Sequence, residues 1–220
     1  MAVTLKSVGG NAVGVGAEAA AGLHMIPKPI AHGALGHYRS CVRFTLATSQ
    51  NANSRLWEVR NTHATNLIIP TRLRVTILMA GTVTTAYRLE LDLFRLTGFS
   101  VVDTTGTVTP TVSPKRGNMA TAPGAAAIRH VTVAGAAAGM TGGTMTKDGG
   151  SAAMHEAWAA TAAATSLPVP AELLDDVNGT HPLVFVQNEG MELENIVAGS
   201  ATANVVDVVV DFSWAEVSAF

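Results

Sequence analysis

Several residue groups in this chain have the types that carry chemistry, and spacing disqualifies each. His155-Glu156 starts the H-E-x-x-H zinc pattern, in which two imidazoles one helical turn apart share a metal. Position 159 is Ala159, so the second ligand is missing. Asp207 and Asp211, if they stand on a strand, lie roughly 13 Å apart at the usual rise, too far to share a metal or to act as a retaining carboxylate pair. They read as a solvated strand face, and Glu192 and Glu194, two positions apart, read the same way. Asp175-Asp176 ahead of Asn178-Gly179 reads as an Asx-type turn, since the D-x-[DN]-x-[DN]-G calcium pattern is absent. The stretch Gly139 to Lys147 lacks phosphate-cradle spacing, because Lys147 follows Thr146 rather than a glycine. No serine sits in a G-x-S-x-G elbow. Cys41 is the sole cysteine, which excludes a disulfide within the chain and a cysteine zinc site, and its strand-like setting predicts a small buried hydrophobe. The histidines are scattered without ligand spacing. The expectation is a protein with no catalytic residue, no cofactor and no metal.

The elements that must position these residues are strands. In Cys41 to Thr48, Val42, Phe44 and Leu46 alternate with Arg43 and Thr45, and in Arg55 to Asn61, Trp57 and Val59 share a side. Leu73, Val75, Ile77 and Met79 alternate with arginine and threonine, as Tyr87, Leu89, Leu91 and Leu93 alternate with Arg88, Glu90 and Asp92. These two runs are expected to pair as an antiparallel hairpin. After Leu93 the apolar phase slips to Phe94 and Leu96, the mark of a β-bulge. Residues 98–127, rich in Gly, Pro, Thr and Ser, are expected to be long loops with room for one short strand, and 135–150, rich in Gly, Thr and Met, a further loop, with a strand at Ile128 to Val133 between them. Ser151 to Ser166 fits a short helix or a strand. The strongest patterning closes the chain: PLVFVQ, the turn Asn188-Glu189-Gly190, MELENIV, and a last run in which Val206, Val208, Val210, Phe212 and Trp214 share one parity. It predicts a three-stranded meander over 181–220, with Trp57 and Trp214 filling the core.

Composition bounds the class. A chain of 220 residues that is 48% apolar can bury a substantial core as one all-β domain. With 14% charged residues and a net charge of −2 there is no basic surface for a phosphate backbone, so no nucleic-acid partner is expected. No run approaches the ~20 apolar residues of a membrane span, and the N-terminus lacks a secretory pattern, so Asn178-Gly179-Thr180 is an accidental glycosylation match. Residues 1–38 show no strand or helix period, yet carry Leu23, Met25, Ile26, Pro27, Pro29, Ile30 and Leu35. A free tail has no use for these apolar residues, which therefore predict an extended arm that docks on a partner surface. The domain division is thus an arm over 1–38 and an antiparallel β-sandwich over 39–220.

The chain as a whole resembles the small β-sandwich structural proteins of tailed-bacteriophage virions. The segments that carry the resemblance are Gly36-His37-Tyr38-Arg39, Arg55-Leu56-Trp57-Glu58-Val59-Arg60, Leu73 to Met79, His181-Pro182-Leu183-Val184, Asn188-Glu189-Gly190 and Val206 to Glu216, spanning most of 36–216. The resemblance implies a jelly-roll-like sandwich, often trimeric, that decorates the capsid surface by binding the major capsid protein, assembled in the host cytoplasm. It assigns no catalytic residue. A tail, collar or fibre-base part is the structural alternative. A carbohydrate-binding sandwich is the alternative of another class, disfavoured by loops with Phe99 as their one aromatic residue.

Overall fold

The computed structural model describes residues 4–6, 12–14, 34–79, 81–83, 86–104, 107–115, 123–132, 139–149, 152–158, 170–175, 182–199 and 206–218. Every regular element among them is a strand: β1 (Thr4–Lys6), β2 (Ala12–Gly14), β3 (Ala34–Thr45), β4 (Ser54–Asn61), β5 (Leu67–Met79), β6 (Tyr87–Thr97), β7 (Thr107–Val108), β8 (Val112–Pro114), β9 (Ala126–Val131), β10 (Thr146–Lys147), β11 (Ala152–Trp158), β12 (Ala171–Asp175), β13 (Gly190–Asn195) and β14 (Val206–Val217). The segment left open between helix and strand is thus strand over Ala152–Trp158, which also removes any helical H-E-x-x-H geometry from His155-Glu156. Of the arm residues, Leu23, Met25, Ile26, Pro27, Pro29 and Ile30 lie outside the described residues, whereas Leu35 stands exposed on β3.

Two antiparallel sheets pack face to face. One runs β12-β5-β14-β3-β8, and the other runs β10-β6-β13-β4-β9-β7 with β11 also on β6. The central strands, β12-β5-β14-β3 over β11-β6-β13-β4, have the order of an eight-stranded jelly roll, with the first and last strands of the sandwich side by side. The segment between β6 and β11 adds β8 to one sheet, and to the other β9 and β7 beside β4 and β10 beside β6.

The interior follows from the alternation. On the five-stranded sheet Tyr38, Phe44, Leu73, Val75, Val208, Phe212 and Trp214 face inward against Trp57, Val59, Leu89, Leu91, Ile128 and Leu193 of the other. Trp57 meets Phe212 edge-on at 5.2 Å across the sheets, and Phe212 stacks on Trp214 at 5.0 Å, so both tryptophans fill the core as expected. A smaller cluster of Ile69, Ala215 and Val217 is covered by Leu67 and Val184.

Pairing differs from expectation wherever it is non-local. β5 and β6 do not form a hairpin. They sit in opposite sheets, and the chain crosses the sandwich between them. The closing meander is likewise absent: β13 pairs with β4 and β6, β14 pairs with β3 and β5, and Phe185 bridges Ile68. Alternation makes a strand half-buried, but it carries no address for the neighbour. The turn before β13 bends at Asn188, whose φ of 65° is left-handed, while Gly190 is a strand residue lying so close to the Val59 carbonyl that any Cβ would overlap its oxygen. Cys41 is exposed rather than buried, because its odd parity puts it on the outer face opposite Asp211. The register of β6 with β13 runs unbroken through Leu93 and Phe94, so no bulge lies there. The phase slip has another cause: Phe94 and Leu96 face outward, and that outer face is covered.

Candidate functional site: a buried charge cluster

The cover is the segment between β6 and β11, and beneath it lies the densest set of ionisable groups among the described residues. β13 contributes Glu192 and Glu194, β4 contributes Arg55 and Glu58, the loop after β6 contributes Asp103, and β10 contributes Lys147. Glu58 and Glu192 are 0% exposed and Glu194 is 3% exposed, so the solvated-face expectation for Glu192 and Glu194 is overturned.

Strand parity alone would send Arg55 and Glu58 to opposite faces. A break in register against β13, where Leu193 pairs Trp57 and Glu194 pairs Arg55, leaves Leu56 as an extra residue. Such a bulge re-aims the side chains that follow. Arg55 thereby joins Glu58, with Nη1 at 3.2 Å from Oε2, and Glu192, with Nε at 3.8 Å from Oε2.

The charges are used to bind backbone. Arg55 Nε donates to the Met140 carbonyl at 2.9 Å and Nη2 to the Gly142 carbonyl at 2.6 Å, while the Met140 N–H donates to the Arg55 carbonyl at 2.9 Å. Asp103 Oδ2 accepts from the N–H groups of Thr141 and Gly142 at 2.6 and 2.8 Å, and Glu58 Oε1 accepts from the Asp103 N–H at 2.9 Å. Gly139 makes the close approach possible: its φ is +70°, and a Cβ there would stand 2.6 Å from the Arg55 carbonyl oxygen. Lys147 Nζ donates to Glu194 at 2.7 Å and forms an ion pair with Glu192 Oε1 at 3.1 Å. Phe94, brought out by the phase slip, lies under the Lys147 ammonium at 5.3 Å from ring centre to nitrogen.

Burial shifts these groups as desolvation requires. It pushes the Glu58 carboxyl up to about 7, against the opposing pull of the Asp103 N–H and of Arg55. Glu192 is also raised by burial, against the pull of Lys147. For Lys147 burial acts downward, but the Glu194 hydrogen bond and the Glu192 charge outweigh it, and the net shift is upward. An open cleft of about 470 Å³ lies above the cluster, lined by Asn53, Arg55, Met140, Thr141, Lys147 and Glu194 among others. The charged groups on its floor already hold one another and the loop.

A second buried carboxylate acts in the same manner. Glu216 on β14 is 1% exposed and accepts from the N–H groups of Gly124, Ala125 and Ala126 at 2.9 to 3.1 Å, tying the start of β9 to the last strand. Asp207, expected on a wet face, is 2% exposed and bound by Arg43 and Thr45, well away from Asp211 in the register. Among the described residues no group of histidine, cysteine and acid side chains is arranged to hold a metal, and no helix is long and apolar enough to cross a membrane.

Sequence reasoning missed this cluster, although the apolar Phe94 and Leu96 on the outer parity of β6 signalled that the face was covered. Compared with protein families, curated proteins and solved structures, the chain matches no family model, no curated protein and no solved structure.

Proposed function

We propose that the protein is a bacteriophage virion structural protein that decorates the capsid, associating as a homotrimer and binding across neighbouring subunits of the major capsid protein. The observation that carries this reading is how buried charge is used: Arg55, Asp103 and Glu216 bond inward to the chain's own backbone and fasten long connections onto a jelly roll. That is the construction of a rigid part rather than of a reactive cleft. The jelly roll serves viral shells as well as lectins, so the fold enters as an analogy, joined to the strand motifs that resemble virion proteins. The contact falls to the arm, with Leu23, Met25, Ile26, Pro27, Pro29 and Ile30, and to Leu35, 49% exposed where the arm meets β3. Stable interfaces bury about 1,200 to 2,000 Å², an area an ordered arm supplies with little folded mass.

The test is co-sedimentation with shells assembled from the major capsid protein. The deletion ends at residue 33, because β3 begins at Ala34. Removal of residues 2–33 is expected to abolish binding while circular dichroism reports an intact sandwich. Unchanged occupancy of the shell by the truncated chain would overturn the proposal, and a few copies confined to one vertex would assign the protein to the collar or tail instead.

A further inference from the structure

The covered face of the seven-stranded sheet holds more acid than base. Glu58, Glu192, Glu194 and Asp103 are each at most 3% exposed, and the cations set among them are Arg55 and Lys147. Asp103 is compensated by the Thr141 and Gly142 N–H groups. Glu58, Glu192 and Glu194 remain for two cations: Lys147 lies 2.7 Å from Glu194 and 3.1 Å from Glu192, and Arg55 lies 3.2 Å from Glu58 and 3.8 Å from Glu192, with Glu58 and Glu192 directly opposite each other in the β4/β13 ladder. Other charges that face the pair are engaged elsewhere. Arg129, across from Glu58 on β9, turns to Thr109 and the Ile128 carbonyl. Arg60, further along β4, binds the Phe99 carbonyl and Asn188. From β6, Asp92 stands opposite Glu194, and Glu90 on the same parity pairs with Arg88.

Three ionised carboxylates set among two cations leave one negative charge unbalanced, and at the fully buried Glu58 and Glu192 that charge has no water to turn to. A proton on either removes the conflict, and the pair then titrates as a unit. We propose that Glu58 and Glu192 share one proton, and that this proton fastens residues 139–149 to the sheet. With the proton in place Arg55 balances a single negative charge and keeps its bonds to the Met140 and Gly142 carbonyls. Without it, two carboxylates draw the guanidinium inward, and the loop loses its clasp. The direction of the Glu58 and Glu192 shifts agrees: both are raised by burial, Glu58 to about 7. A carboxyl whose folded value is raised contributes stability that is complete in acid and is lost as pH rises through about 7. The clasp is therefore closed in mild acid and loosened in mild base.

Hydrogen exchange of the full chain tests this, with the Met140 and Gly142 amides read against amides of β14 and corrected for intrinsic rates. Between about pH 5.5 and about pH 8.5, loop protection is expected to fall at least about tenfold relative to β14, the equivalent of one pKa unit of coupling. In Glu192→Gln, which removes one of the two charges, protection is expected to be the same at both pH values. Glu58→Gln keeps an acceptor for the Asp103 N–H and is expected to behave alike, so it decides the matter if the first variant does not fold. A wild-type loop equally protected at both pH values, or a pH dependence that survives in the folded variants, overturns the proposal.

Discussion

The outer faces of the two sheets are built from the same kind of sequence and live in different solvents. On β3 the outward positions Arg39, Cys41 and Arg43 are exposed, and on β5 Arg72 and Arg74 lean to Glu172 on β12 with about a third of each side chain in water. On β4 and β13 the outward positions Glu58, Glu192 and Glu194 are buried. The difference is the connection between β6 and β11, which folds over one sheet; on the other, the more open face, the arginines of β3 and β5 stay in water, although Asp207 is buried and held by Arg43 and Thr45. A hydrated outward charge contributes little, whereas a buried one must find a partner or a proton. Covering a polar face thus turns solubilising residues into fasteners.

Arg55→Ala attacks the contrast hardest. It strips the cation from Glu58 and Glu192 and the donors from two loop carbonyls, and is expected to cost about 3–5 kcal/mol in denaturant unfolding, as breaking a buried pair does. A loss below about 1 kcal/mol would mean that the covered face is wet. Glu216→Ala is expected to cost about 1–3 kcal/mol, because it leaves buried N–H groups without an acceptor. On the open face, Arg39→Ala is expected to change stability by less than about 0.5 kcal/mol, the usual range for a surface substitution. Cys41 sharpens the same comparison without altering stability: its thiol is expected to react with a maleimide in the native state at nearly the rate of the unfolded chain. A protected thiol would show that the open face is covered in solution.

The legibility of the sequence divides along the same line. The long alternating strands, the core tryptophans and the β-sandwich class are legible because alternation is a local signal that a half-buried strand cannot avoid, whereas β12 and the short β1, β2 and β10 are not, and the strand expected over 183–187 is only a bridge at Phe185. Partners were misread for β5 with β6 and for β13 with β14, since adjacent strands usually pair and a jelly roll sends nearly every one across the sandwich. The buried acids were misread for a related reason. Glu192 alternating with Met191 and Leu193 looks the same whether water or a distant loop lies above it. The one local clue, Phe94 and Leu96 out of phase, was visible but was assigned to a bulge, while the real bulge at Leu56 left no trace in the spacing of Trp57 and Val59.

By itself, then, the sequence determined that this chain makes strands, which faces of them are apolar, and that its interior is built on Trp57, Phe212 and Trp214. Tertiary structure alone decided which strands meet, which outward face is dry, and that Arg55, Glu58 and Glu192 come together. The physical reason is range. Side-chain alternation is set by the backbone within two residues, but the desolvation of a carboxylate is set by whatever packs above it, here a loop some eighty positions away from Glu58 and fifty from Glu192 along the chain, as the separations of 85 and 87 between Arg55 and its loop acceptors illustrate.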